Sequence, residues 1–489
     1  MTMAEGTELC CANTLRRLVA ERPGELVYRH VGHDGHERAF SWSVIDQRSS
    51  QIAAGLLARG ARFGDRVSIG LKNSPQFTFS TLAVWKIGAV PVPVRWDLPE
   101  WELERVRDVI DPALHLGEED LKWIDESAHD PVAQLPDVVS PQRSGICSSG
   151  STGTPKVILS DAPALFDPIM ATPMGAIWGP VSTPQVILVL APMYHVNAFT
   201  TLTNLLGGDH LVVLEKFDAA RALSLIESHR ITNFTATPTM LQRMADRPEA
   251  DERDLSSIEF FIQGAAPMPP NLVHRWADLI GADKIIMAYG MTEALGLTAL
   301  RGDEWMDHQG SVGKGFRGTE LKILDPEGHE LAPGEIGDIY LRNGVFGDYD
   351  YLGDAERLPS TEDGFVTAGD VGYLDEEGYL FLADRRVDLI ITGGANVFPA
   401  EVEIALIDHP SIADVVVIGL KDPEWGRRVH AIIEPSDLAS PPSFDEVVGF
   451  AKSRLAPYKV PKTVEIVAEV PRSAATKVSR GRLVEERGG

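Results

Sequence analysis

At 489 residues the chain is long enough for roughly three compact units, and its 44% hydrophobic and 24% charged residues exclude disorder and coiled coil. Forty-five basic against 71 acidic residues leave a net charge of −26, which repels polyanions and argues against nucleic acid or an anionic membrane as the main partner. Any phosphate-binding site must therefore be local.

Cysteines 10, 11 and 147 cannot form a disulfide framework for a chain this long, so a reducing, cytoplasmic setting is expected. The N-terminal stretch lacks a basic start followed by an apolar run, and nowhere do 18 uncharged apolar residues follow one another. Neither a standard export signal nor a membrane-spanning helix is expected.

In chain order, SWSVIDQRSSQIAAGLLARGA has helical apolar spacing, DRVSIGLKN reads as a buried strand, PQFTFSTLAVWKIGA returns to helix, and VPVPV follows. The alternation resumes after residue 180 with a strand at VILVLAP and a helix at AARALSLIESHRI. NFTATP, IEFFIQGAAP and KIIMAYG then give short apolar runs that close in turns rich in Gly, Pro or Thr. In open α/β sheets ligands gather at the carboxyl ends of strands, which makes those turns candidate site walls. From about 310 to 384, ELKILD, GDIYLR and GYLFLAD alternate with turn residues and suggest a smaller β subdomain. Beyond it a unit of roughly a hundred residues carries helices at PAEVEIALIDH and FDEVVGFAKSRL and strands at VVVIGL and VHAIIE, with PSDLASPPS as a surface loop. The main boundary is placed between 384 and 385, giving 1–384 and 385–489.

The most informative string is Ser148-Ser149-Gly150-Ser151-Thr152-Gly153-Thr154-Pro155-Lys156. Successive small residues can turn backbone N–H groups and hydroxyls into one concavity, and an edge lysine adds positive charge suited to phosphate oxygens. It departs from the P-loop of kinases and GTPases, since Pro155 precedes the lysine and Val157 follows it; a surface loop is the bland alternative. Tyr289-Gly290-Met291-Thr292-Glu293 puts an aromatic, a hydroxyl and a carboxylate at the end of the KIIMA strand. Thr367-Ala368-Gly369-Asp370 sets a carboxylate in a turn, where it can accept from two neighbouring hydroxyls such as those of ribose.

Taken together with APMYHVNAF (191–199), QGAAPMP (263–269), TAGDVGYLDEEGYL, DRRVDLIITGGANVFPAEVE and the final PRSAATKVSRGRL, these motifs resemble, in order and spacing, the adenylate-forming superfamily of acyl-CoA synthetases, nonribosomal adenylation domains and luciferases. The resemblance spans most of the chain. It implies an α/β fold: a large N-terminal domain of α/β subdomains plus a β subdomain, and a small mobile α+β C-terminal lid.

By motif, the resemblance implies that Ser149, Ser151, Thr152, Gly153 and Lys156 hold the β- and γ-phosphates of ATP. Tyr289 would stack on adenine in a slot shared with Gly264, Ala265, Ala266 and Gly290. Thr292 would touch the α-phosphate, Glu293 would hold Mg²⁺, and Asp370 with Arg385 would bind the ribose. His195 would lie beside the acyl entrance; a structural, hydrogen-bonded histidine is the alternative. Lys477 would stabilise the charge that develops as the substrate carboxylate attacks phosphorus. The Gly393-Gly394 loop would line the pantetheine tunnel of CoA after the lid rotates.

The implied activity is an ATP-dependent acyl-CoA ligase with lipid or fatty-acid metabolism as its setting. The alternatives are an enzyme that loads a carrier protein and an inactive acyl or nucleotide binder. No acidic residue near the candidate pocket segments (Trp178, His195, Val196, Phe199, Thr200, Ala288) matches an amino group, which favours a lipophilic acid over an amino acid. Fatty, steroid-derived and aryl acids stay open, as does a homodimer. Four positions depart from the family pattern: Val157, Asp384, Val387 and Thr476. A β-branched Val387 at the hinge predicts normal adenylation with a slowed thioester step.

Overall fold

The computed structural model describes residues 9–127, 135–148, 156–345, 348–353, 355–385, 388–392, 395–423, 425–473 and 478–488. Its backbone is a thirteen-stranded sheet. Six strands run parallel in the spatial order Ile285–Gly290, Phe260–Gln263, Asn233–Ala236, Val186–Val189, His210–Leu214 and Leu26–Val31. Strand Glu37–Ser41 closes one edge as an antiparallel hairpin with Leu26–Val31. These strands read as continuous apolar runs because both faces are covered. In His210–Leu214 successive residues enter opposite cores: Leu211 and Val213 join Trp42, Ile52 and Phe77 on one side, while Val212 and Leu214 join Leu223, Phe234 and Trp276 on the other.

The covering helices start where their sequence says they must. Asp218 accepts from the Arg221 amide at the head of Ala219–Ser228, and Ser74 and Thr237 each cap a helix with proline at its first turn. Between the helices and the sheet, Phe234 and Phe261 stack at 5.3 Å, and Trp276 meets Phe261 edge-on at 5.1 Å. Its indole N–H donates to the Leu241 carbonyl at 3.2 Å, so the buried ring leaves no polar atom unmet.

The β-rich stretch has a core of its own, including Ile323, Ile339, Leu341, Tyr349 and Leu380. It is nevertheless hydrogen-bonded into the main sheet: strand Ser311–Gly315 pairs with Leu297–Arg301 on one side and Leu380–Arg385 on the other. A second, parallel sheet orders Val90–Pro93, Arg66–Ile69 and Leu114–Leu116. A third, antiparallel one orders Tyr349–Leu352, Lys156–Ser160 and Gly145–Ser148. After Leu380–Arg385 the next described strand, Ile390–Thr392, belongs to a separate five-stranded sheet with Ala395–Val397, Gly426–Pro435, Ile412–Asp422 and Thr463–Ile466. Helices Pro399–Ile407 and Phe444–Lys452 bury Val402, Leu406, Val447 and Ala451 against it. Ser436–Pro441 is an exposed loop.

Candidate active site

The three runs NFTATP, IEFFIQGAAP and KIIMAYG close at neighbouring parallel strand ends, and the last two carry candidate site residues. Strand Phe260–Gln263 delivers Gly264, Ala265 and Ala266, and its neighbour Ile285–Gly290 delivers Tyr289, Gly290, Thr292 and Glu293, with Gln263 opposite Met287. The buried Gln263 amide donates to the Gly264 and Ala266 carbonyls and holds this turn in place. Ala265 has φ +72°, in the left-handed region that costs a non-glycine residue energy. Ala265 and Ala266 are exposed, and a Cβ on Gly264 would stand 3.5 Å from the Ala288 carbonyl. The turn therefore presents bare backbone beside Tyr289.

Tyr289 donates its hydroxyl to Asp370 Oδ2 at 2.6 Å. Asp370 is buried at the start of strand Asp370–Leu374, and in the register with Leu380–Arg385 its direct partner is Arg385. Backbone pairing thus brings the predicted ribose pair together across 15 residues of sequence (385 − 370).

The second grouping forms where the third sheet meets the Tyr289–Glu293 turn. Lys156 opens strand Lys156–Ser160, and its Nζ lies 5.3 Å from the Tyr351 ring centroid. The Tyr351 hydroxyl donates to Glu293 Oε1 at 2.8 Å. Burial, followed by the bond to Glu293, pushes the Tyr351 phenol far above its ordinary range, so it remains a donor. Tyr349 packs edge-on to Tyr351 at 5.2 Å, and Tyr289 packs against the same core.

Among the candidate pocket segments, His195 precedes helix Val196–Phe199, its carbonyl accepting from the Phe199 amide, and its ring lies 4.5 Å from that of Tyr194. Burial raises the Tyr194 phenol to about 12. Phe199 turns into the core against Trp85 at 5.8 Å. Trp178 stacks on Phe316 at 6.3 Å and packs with Ala288, while its indole N–H donates to Glu304 at 3.3 Å. A concavity of about 620 Å³ lies elsewhere, lined by Arg59, Arg107, His115 and Asp120 beside the second sheet.

Ser149, Ser151, Thr152, Gly153, Gly393, Gly394 and Lys477 lie outside the described residues, as do Val387 and Thr476; Arg385 and Asp384 are described by their backbone. Thr292 sits half-buried in the turn after Gly290. Sequence reasoning missed Tyr351, which no local motif marks; the YDYL alternation at 349–352 is the one cue to a strand there.

Among the described residues no group of three or more His, Cys, Asp or Glu could hold a metal ion. Magnesium does not need one: it takes one or two carboxylates and completes its shell with water and substrate phosphates, so a single hard oxygen donor such as Glu293 fits.

These groupings sit at the strand ends of an α/β sheet, where such sheets gather their ligands. The chain belongs to the AMP-binding enzyme family within the adenylate-forming superfamily: the family profile matches residues 15–349, and that of the AMP-binding enzyme C-terminal domain matches 401–477. It is 31% identical over 478 residues to a feruloyl-CoA synthase of an Amycolatopsis species, covering 93% of this chain and 94% of that protein. It is 29% identical over 487 residues to a fatty acid–[acyl-carrier-protein] ligase of Streptomyces coeruleorubidus, with 91% of each covered. Among solved structures it is similar to the o-succinylbenzoate–CoA synthetase of Bacillus subtilis in complex with its acyl-adenylate intermediate, with a TM-score of 0.82, 26% identity, and 96% of this chain and 97% of that chain covered.

Proposed function

We propose that this chain is an ATP-dependent acyl-CoA ligase that activates a lipophilic carboxylic acid, fatty or aryl, as acyl-AMP with release of pyrophosphate and then transfers the acyl group to CoA. Family membership and relatives that are ligases of acids to thiols support the activity class. The observation that carries the reading is the convergence of Lys156, Glu293, Tyr289 and Asp370 through Tyr351 and the Tyr289–Asp370 bond.

In this reading Lys156, with Ser149, Ser151, Thr152 and Gly153, holds the β- and γ-phosphates. Tyr289 faces adenine over the bare backbone of Gly264, Ala265, Ala266 and Gly290. Asp370, oriented by the Tyr289 hydroxyl, accepts from the ribose hydroxyls, and Arg385 assists as a donor. Glu293 carries Mg²⁺, whose charge offsets that of the triphosphate. Thr292 meets the α-phosphate, and Lys477, from a lid spanning 385–489, stabilises the charge as carboxylate attacks phosphorus. A carboxylate is a poor acyl donor because oxide leaves badly, whereas the mixed anhydride releases AMP; adenylation removes that obstacle. The thiol of CoA then enters past Gly393-Gly394 once the lid has turned, while His195 flanks the acid.

The acid is proposed to be apolar because the described neighbours of Trp178 are chiefly aromatic and aliphatic, Phe316 and Ala288 among them, with the Glu304 carboxylate occupied by the Trp178 indole N–H. The carrier-protein ligase among the relatives favours a second reading in which a phosphopantetheinyl carrier replaces CoA. Fatty, aryl and steroid-derived acids should be screened for pyrophosphate exchange into ATP, then for thioester formation with CoA or with carrier protein. Exchange with at least one apolar acid and thioester with CoA are expected; exchange with polar amino acids alone would contradict the substrate class.

A further inference from the structure

We propose that Tyr351 is a positioning residue that keeps Lys156 and Glu293 from pairing with one another, so that each charge stays available for its own ligand. The inference rests on the proposed roles of Lys156 toward phosphate and Glu293 toward Mg²⁺. Tyr351 is buried, and its strand pairs with the strand that Lys156 opens, with Tyr351 opposite Ile158 and Leu352 opposite Val157. One side chain therefore faces two opposite charges: its ring lies 5.3 Å from Lys156 Nζ, and its hydroxyl donates to Glu293 Oε1 at 2.8 Å.

A lysine and a glutamate that share one aromatic neighbour would gain most by joining directly, since two unit charges at 4 Å attract strongly in a partly desolvated site. Such a pair would spend the cation meant for the triphosphate and the anion meant for the metal. Yet among the described ion pairs Lys156 and Glu293 are not joined. Tyr351 offers each a weaker, neutral substitute. The hydroxyl satisfies one carboxylate lone pair without cancelling the charge, and the second carboxylate oxygen remains a hard donor. The ring's π-face offsets part of the ammonium's desolvation and supplies no counter-charge to be displaced when phosphate arrives.

The test is ATP binding to the full chain by calorimetry, across a series of Mg²⁺ concentrations and without metal, for wild type, Tyr351→Phe, Tyr351→Leu and Glu293→Gln. Tyr351→Phe loses only the hydroxyl: the Mg²⁺ needed for half-maximal enhancement should rise about fivefold or more, with metal-free ATP affinity unchanged. Tyr351→Leu removes ring and hydroxyl, and metal-free ATP affinity should fall as well, about threefold to tenfold. A Mg²⁺ dependence shifted by Glu293→Gln and untouched by Tyr351→Phe would overturn the proposal and leave the metal reading standing. A dependence unmoved by either variant would remove both. Tyr351→Leu with the metal-free affinity of Tyr351→Phe would overturn the spacer role of the ring. Tyr351→Phe keeps the packed ring and carries the test if Tyr351→Leu does not fold.

Discussion

Asp370 shows how a single carboxylate is made ready by its surroundings. It is 8% exposed, holds the Tyr289 hydroxyl at 2.6 Å, and sits in register with Arg385. Asp370→Asn keeps the shape and removes the anionic acceptor. ATP affinity should therefore fall about tenfold to a hundredfold, the worth of a charge-assisted hydrogen bond or two. Tyr289→Phe keeps the ring and loses only the orienting hydroxyl, so its loss should be about fivefold. Titration of each variant with ATP measures both effects, and equal losses would contradict the division between contact and orientation. Residues of this kind were readable in the sequence because each lies within a few positions of a strand end. Tyr351 was not, because its hydroxyl partner Glu293 stands 58 positions away and its ring partner is reached only by pairing two strands.

At the scale of elements, the C-terminal tail is fastened on both sides of residues 473–479 by arginine–carboxylate pairs. Arg472 bonds both oxygens of Asp414 at 2.6 and 2.7 Å, and Arg480 bonds both oxygens of Glu403 at 2.8 Å and Asp388 at 3.2 Å. These groups are about four-fifths buried, so removing one partner strands charge in a poorly solvated place. Arg480→Met should cost about 3 kcal/mol in urea unfolding followed by a probe in the C-terminal region. A loss under about 1 kcal/mol would rank the pair with exposed ones. Helices with broad apolar faces, such as Trp42–Ala58 and Ala219–Ser228, were legible from periodicity. Glu100–Ile110 and Arg480–Glu486 were not: the first buries only Val106 and Ile110, the second only Leu483, so their apolar signal is too thin to stand out.

Across the whole molecule, the alternation of strands and helices announced an α/β sheet, but not its order. Leu26–Val31 pairs with His210–Leu214, and no local pattern encodes a neighbour that distant. The fold also carries a pH signature. Burial, followed by the nearby Arg107, lowers His115 to about 4, and a hydrogen bond of 2.8 Å joins its Nδ1 to Ser68 Oγ. Burial lowers His30 and His430 as well. Above about pH 6.5 both folded and unfolded forms of His115 are neutral and it contributes nothing. Below that, the unfolded chain takes up the proton first, so stability falls as pH drops towards 4. For His115 the loss approaches about 2 kcal/mol once partial solvent contact is allowed for. Urea midpoints from pH 7.5 to 4.5 should show a shallower slope for His115→Gln than for wild type; identical slopes would contradict a neutral buried ring.

The measurement closest to the centre of this account is the identity of the nucleotide product. Purified protein given ATP, Mg²⁺, CoA and an apolar acid should yield AMP, pyrophosphate and acyl-CoA in equal amounts, with the acid carried through acyl-AMP. ADP and orthophosphate, or no acid-dependent cleavage across fatty, aryl and steroid-derived acids, would contradict it.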